Sequence, residues 1–171
     1  MAVGRFSSFS QYFTLTYLSE AIVTTGGFGV VVFIMAYIIG TLMNIPGVLF
    51  LFILFMVYEP IEGLLIGYIG TLLAMVVHFY FTRALAGEAL SEIKQPFIKK
   101  QMKKLTATPV RTTVILRLIF FVSPPVNYAL ALSSVKFKHF LIGSMLALPV
   151  NLALNYSLYV FAKDWLVQRF L

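Results

Sequence analysis

Leu116-Arg117-Leu118-Ile119-Phe120-Phe121-Val122-Ser123-Pro124-Pro125, followed by Val126 and Asn127, decides how this chain reads. The stretch is apolar enough to enter a membrane, yet it holds an arginine, two consecutive prolines and an asparagine. Each proline lacks a backbone donor and disfavours helical geometry at the residue before it. The helix is therefore expected to break near Ser123. In hydrocarbon a broken helix strands its carbonyls, so such backbone persists only when buried in protein or facing a wet cavity. The expectation is a re-entrant hairpin over Val110–Ser134 that enters the membrane, turns at Ser123–Asn127 and leaves on the same side.

Composition agrees. Of 171 residues, 60% are hydrophobic and only 11% charged, far from the balance of soluble domains. The formal net charge of +7 is uneven, with about half of the 13 basic residues between Arg83 and Arg111. That cluster reads as loop charge on a polytopic membrane protein. No basic–aromatic motif accompanies it, so nucleic-acid binding is not expected. The absence of cysteine excludes a disulfide framework and thiol chemistry. A cleaved signal peptide is not expected at Met1–Gln11, where no short apolar core ends in a cleavage site.

From Ala21 to Tyr58 there is no charged residue. That is roughly 38 residues, about 57 Å as one helix, against about 30 Å of hydrocarbon. The break falls at Asn44-Ile45-Pro46-Gly47. Ile22–Met43 before it is long enough to cross. Val48–Tyr58 after it is too short, and is expected to dip in and return. Glu59, Pro60 and Glu62 end this dip. Gly63–Thr82 reads as a crossing helix whose Gly63, Gly67 and Gly70 share one face and admit a close neighbouring backbone. Arg83 ends it and can snorkel to the headgroups.

Glu88–Thr108 is the long polar stretch. Leu90, Ile93, Phe97, Met102 and Leu105 recur at helical spacing, with Lys99, Lys100, Lys103 and Lys104 between them, as in a basic helix lying on an anionic membrane surface. The positive-inside rule puts it in the cytoplasm. Phe140–Ala162 is a final crossing interrupted by Pro149. Lys163, Asp164, Trp165 and Arg169 read as its interfacial end. Asn151 and Asn155, four apart, are expected to bond across helices.

The organisation is thus an interfacial segment over 1–20, one membrane domain over 21–165 and a tail over 166–171. The domain holds a first repeat (21–86), a basic linker (87–109) and a second repeat (110–165). Crossing, dip, crossing, linker, dip, crossing is the pattern of an inverted repeat with a site at the midplane. The fold class expected is all-α and polytopic, with two re-entrant helical hairpins plus crossing helices.

Several of these residues resemble the signature of the DedA superfamily, the VTT-domain or SNARE-associated Golgi protein-like membrane proteins. In the second half they are Leu116-Arg117-Leu118, Pro124, Asn127-Tyr128, Ser134, Phe137, Phe140 and Gly143. In the first half Ile45-Pro46-Gly47 resembles the family's proline turn, and Tyr58…Gly63…Gly67…Gly70…Arg83 its aromatic and glycine run. The similarity covers roughly Ile22 to Trp165. It implies two re-entrant hairpins facing each other and lipid translocation, either scrambling of phospholipids or flipping of polyprenyl-phosphate or phospholipid carriers. Two departures bear on proton coupling. Val48 stands where the carrier-lipid branch often has an acidic residue, and Tyr58-Glu59 replaces an aromatic-Gly pair. Glu59 or Glu62 could supply that acid from nearby.

The substrate-binding candidates are Arg117, Ser123, Asn127 and Asn44, beside the turns at Pro46, Gly47, Pro124 and Pro125. A permanent charge with a planar fork suits phosphate oxygens. For Arg117, headgroup contact competes with an ion pair to Glu59 or Glu62 and with snorkelling. For Asn127, the competing role is a turn residue bonding its own backbone. Glu59, Glu62 and Arg83 are candidates for proton or ion-pair roles. His78 could relay protons, or pack as a hydrogen-bonded core residue. No catalytic constellation, metal cluster or cofactor motif is present. Competing functions are a proton- or ion-coupled small-solute carrier and a non-transport membrane homeostasis or assembly factor. The expected location is a bacterial inner membrane, with membrane lipids as partners and homo-oligomerisation left open.

Overall fold

The computed structural model describes residues 24, 28–86, 107–121 and 123–170, excepting the side chains of 86 and 164–170. The interfacial segment over 1–20 and nearly all of the basic linker, including Lys99, Lys100, Lys103 and Lys104, lie outside these residues.

Six helices follow in order: α1 (Gly29–Leu42), α2 (Gly47–Val57), α3 (Pro60–Ala86), α4 (Pro109–Phe120), α5 (Pro124–Leu132) and α6 (Phe137–Phe170). Among the described residues there is no strand. Among the described residues, α3 and α6 are long and apolar enough to cross a membrane, over Pro60–Leu85 and Phe137–Lys163. At 1.5 Å per residue the other four reach only about 13–21 Å. Residues preceding Gly29 mostly fall outside the description, so the expected crossing from Ile22 is seen only in its second part.

The first break is a helix-ending motif. Asn44, at φ 64°, directs its N–H to Thr41 O at 3.1 Å and the N–H of Ile45 to Gly40 O at 2.9 Å. This pair of bonds, closed by a left-handed residue, satisfies the last carbonyls of α1. Pro46 then precedes the first residue of α2. The second break lies between Phe120 and Pro124, with Phe121 at φ 55° and Ser123 extended. It therefore comes earlier than the expected Ser123–Asn127. The prolines occupy the first turn of α5, where their missing N–H groups are not needed, and Asn127 is already helical. Both breaks thus pass through a non-glycine residue with positive φ.

The two halves exchange partners. α1 lies along α3, and α4 lies along α6, each within its own half. The returning helix α5 packs on α3, and α2 packs on α6 as well as α3. Three aromatic and aliphatic clusters result. Phe33, Tyr37 and Phe50 join α1 to α2; Leu51, Phe55 and Leu152 join α2 to α6; and Phe79, Leu130 and Phe140 join α3, α5 and α6.

Glycines set two of these contacts. Gly143 faces Thr113 of α4, and a Cβ built there would lie 2.6 Å from the threonine Cβ and 2.9 Å from Val110 O. Along α3, the glycine face admits side chains rather than the expected backbone. Gly67 takes Leu51 and Leu54, and Gly70 takes Phe33 and Tyr37.

Pro149 interrupts the ladder of α6 without ending it, because a proline frees the carbonyl four residues back. That carbonyl belongs to Met145, and the Tyr68 hydroxyl of α3 donates to it at 3.4 Å. The helix continues to Phe170.

Candidate functional site

The outside is apolar, and a set of polar side chains is buried among the apolar clusters. Ile61 and Leu85 of α3 are 74% and 73% exposed, while Thr71 and His78 of the same helix are fully buried. On α6, Leu146 and Phe161 face outward, while Ser144, Asn151 and Asn155 are buried. In water this arrangement would cost both ways; surrounded by lipid tails it is favourable outside and needs only internal hydrogen bonds inside.

Arg117 sits at the centre of that interior. It and Thr113 are the buried residues of α4, four apart on the face that meets α6 around Gly143. Its Nε donates to Ser144 Oγ at 2.8 Å, and one terminal nitrogen, Nη1, donates to Asn127 Oδ1 at 3.0 Å. The guanidinium carbon lies 5.1 Å from the ring centre of Phe140. The other terminal nitrogen, Nη2, has no partner. Ser144 in turn donates to Phe140 O at 2.7 Å, so its oxygen is oriented to accept from arginine. Asn127 is therefore a partner of Arg117 and not a residue folded onto its own backbone. Neither Glu59 nor Glu62 reaches the guanidinium; both are exposed at the start of α3.

Around this centre, Tyr37 of α1 accepts from Thr71 Oγ1 through its hydroxyl at 3.1 Å. His78 Nδ1 lies 3.3 Å from Thr82 Oγ1, and its ring meets Tyr128 edge-on at 4.5 Å. His78 Nε2 and both polar atoms of the Asn151 side chain are buried without partners. The asparagines of α6 do not bond across helices as expected. Asn155 donates back to Asn151 O at 2.7 Å within its own helix.

Beside these buried polar side chains lies a cavity of about 740 Å³. Residues at both helix breaks line it: Asn44, Pro46, Gly47 and Val48 from the first, and Phe121, Ser123, Pro124 and Pro125 from the second. Leu154, Asn155 and Leu158 of α6 complete one wall. Thus Asn44, Ser123 and all four turn residues are brought together, and Arg117 and Asn127 lie behind them rather than on the lining. Neither α2 nor α5 has a side-chain cap at its N-terminus. Both helices therefore begin at the cavity with the positive ends of their dipoles, although the two prolines of α5 offer no N–H there and Asn127 N–H already bonds Ser123 O at 3.2 Å.

Arg83 has a different place from the one expected. Its Nε donates to Ala131 O at 2.9 Å, and one terminal nitrogen donates to Ser133 O at 3.0 Å and Val135 O at 2.7 Å. It stacks over Phe79 at 4.3 Å. The side chain holds the C-terminal end of α5, where carbonyls lack helical partners, instead of extending to the headgroups.

Ser144, Tyr37 and Thr71 were not picked out from the sequence. Ser144 had a signal: seven residues before Asn151 and eleven before Asn155, it lies on the same helical face.

An apolar exterior around a hydrogen-bonded interior, with two long apolar helices, defines a helical membrane protein. A family model for the VTT domain matches residues 45–160, from the first proline turn almost to the end of the second long helix. The chain belongs to that family, the DedA/SNARE-associated Golgi protein family. No curated protein and no solved structure matches it.

Proposed function

We propose that this protein moves lipid headgroups, phospholipid or polyprenyl phosphate, across the bilayer as a scramblase or flippase. The path is a polar groove between two re-entrant hairpins of opposite topology. The observation that carries the reading is the convergence of both proline-broken tips on one cavity beside a buried, permanently charged arginine.

Three features support it. The short helices α2, α4 and α5 are each too short to cross about 30 Å of hydrocarbon, as the legs of a dip should be. The exchange of partners between halves is what an inverted repeat would produce. The cavity pairs two positive helix ends with an otherwise apolar lining, Leu51, Phe120, Leu154 and Leu158 among its walls. An anionic headgroup suits the first and acyl tails the second.

In this reading Asn44 and Ser123 hydrogen-bond the headgroup, while the turns at Pro46-Gly47 and Pro124-Pro125 keep the tips open. Arg117 supplies the charge, held in register by Asn127 and Ser144, and reaches the phosphate when the second hairpin moves off α6. Glu59 and Glu62 meet the positive end of α3 and sit apart from the groove. The linker faces the cytoplasm of a bacterial inner membrane and rests on anionic lipid through Lys99, Lys100, Lys103 and Lys104.

Reconstitution tests the proposal. Purified protein in liposomes should expose an inner-leaflet labelled phospholipid, or a labelled polyprenyl phosphate, to a membrane-impermeant quencher within minutes. Protein-free rates for both lipids would overturn it.

A further inference from the structure

We infer that Asn155 is a specificity-determining residue of the cavity, and that it selects a headgroup with free hydroxyls, a polyol joined to the lipid through a phosphodiester. The inference rests on the lipid reading above and narrows its substrate class. Asn155 is 4% exposed and lines the cavity together with Leu154 and Leu158 of the same helix. An amide on such an apolar wall is costly unless its polar atoms find partners. Asn151, one turn away on the same face of α6, is sealed from the cavity with both side-chain polar atoms unpartnered. Asn155 is therefore where this polar face of α6 meets the cavity.

The orientation of the amide is fixed from within the helix. Its nitrogen donates to Asn151 O at 2.7 Å. A backbone carbonyl only accepts, so the atom facing it must be the nitrogen and not the oxygen. One N–H is used in this bond. The second N–H and the amide oxygen form no hydrogen bond among the described residues. Asn155 thus offers one donor and one acceptor in a single plane. A hydroxyl both donates and accepts and can serve either; a phosphodiester oxygen only accepts, and a quaternary ammonium does neither. Ser123 adds the same mixed capacity. It stands where a serine hydroxyl ordinarily caps the following helix, yet it makes no cap bond with α5, and it lines the cavity. Asn44 contributes a second amide from the first break. Three neutral side chains that can both donate and accept, from three separate elements, border one cavity. The phosphodiester charge is drawn to the positive ends of α2 and α5, and the polyol to the amides and the hydroxyl.

The test is transbilayer movement in liposomes holding the purified full chain, read with acyl-labelled lipids and a membrane-impermeant quencher. Phosphatidylglycerol is compared with phosphatidylmethanol, which has the same charge and chains but no headgroup hydroxyl, and with phosphatidylcholine. The protein-dependent rate for phosphatidylglycerol should exceed the other two by about three- to tenfold, the scale of one net hydrogen bond. Asn155→Leu should bring phosphatidylglycerol and phosphatidylmethanol to one rate. Equal rates for these two lipids in the wild-type protein, or a preference that persists in folded Asn155→Leu, would overturn the inference and leave lipid movement standing. Should Asn155→Leu fail to fold, the wild-type comparison decides alone. Should no lipid move, the proposed function falls and binding decides the site, by thermal unfolding in detergent with soluble short-chain forms of the same lipids. A saturable rise in unfolding temperature that is larger with phosphatidylglycerol than with phosphatidylmethanol supports the selectivity. Equal rises, or none, refute it.

Discussion

Arg117 on α4 and Asn127 on α5, ten residues apart, are joined at 3.0 Å from guanidinium nitrogen to amide oxygen. The bond spans the break between Phe120 and Pro124 and fixes how far the proline tip can swing from α4. Removing the acceptor strands a second nitrogen of a buried charge. Asn127→Leu should therefore lower stability by about 1–3 kcal/mol, read as a drop in unfolding temperature in detergent. Asn127→Asp, which adds a countercharge beside the arginine, should raise it.

Gly143 tests the α4–α6 contact. A methyl group there meets Thr113 and the Val110 carbonyl within 3 Å, and backbone cannot yield as a flexible side-chain end does. Gly143→Ala should cost about 1–3 kcal/mol by overpacking. Gly63→Ala should be milder, because its nearest neighbour is the Phe55 ring at 3.3 Å. Unfolding temperatures of the two variants, compared side by side, check the order.

Arg83→Ala should loosen the end of α5, since three backbone carbonyls lose their donor together. The loss should amount to about 1.5–3 kcal/mol or more, the scale of a hydrogen bond to a charged group. Arg83→Lys should recover only part, because an ammonium lacks the planar fork that spans these acceptors. Hydrogen exchange at the residues following Leu132 should rise in both variants, and more in Arg83→Ala.

Asn44 closes α1 in a left-handed conformation. Asn44→Gly should leave stability nearly unchanged, whereas Asn44→Val should cost about 1–2 kcal/mol. If Asn44 also binds headgroups, Asn44→Gly should slow lipid movement while the unfolding temperature holds. The split between these two readouts separates its roles.

Local chemistry announced the breaks and concealed the cross-helix register. Pro46 and Pro124 marked both helix breaks, because proline acts on its own backbone. Arg117 was legible as a charge in need of polar company, because it lies inside an apolar run, but headgroup, carboxylate and interface stayed open as that company. Its partner Ser144 was not, since that contact depends on how α4 meets α6 at Gly143, which no periodicity encodes. Asn151 and Asn155 misled for a related reason. A shared helical face shows that two residues point the same way, not what lies opposite. Arg83 at a helix end read as a snorkelling cation until the end of α5 came to rest against it. The role of Tyr68 opposite Pro149 likewise needed the α3–α6 register.

The central claim is that lipid passes between the two hairpin tips. The chain contains no cysteine, so Val48→Cys with Ser123→Cys introduces one thiol on each tip, both at the cavity. The decisive measurement is transbilayer movement of labelled phospholipid and labelled polyprenyl phosphate in liposomes, before and after joining these thiols with a reducible bifunctional reagent. The account predicts movement in the free protein, arrest on cross-linking and recovery on reduction. Undiminished movement with the tips covalently joined would contradict it.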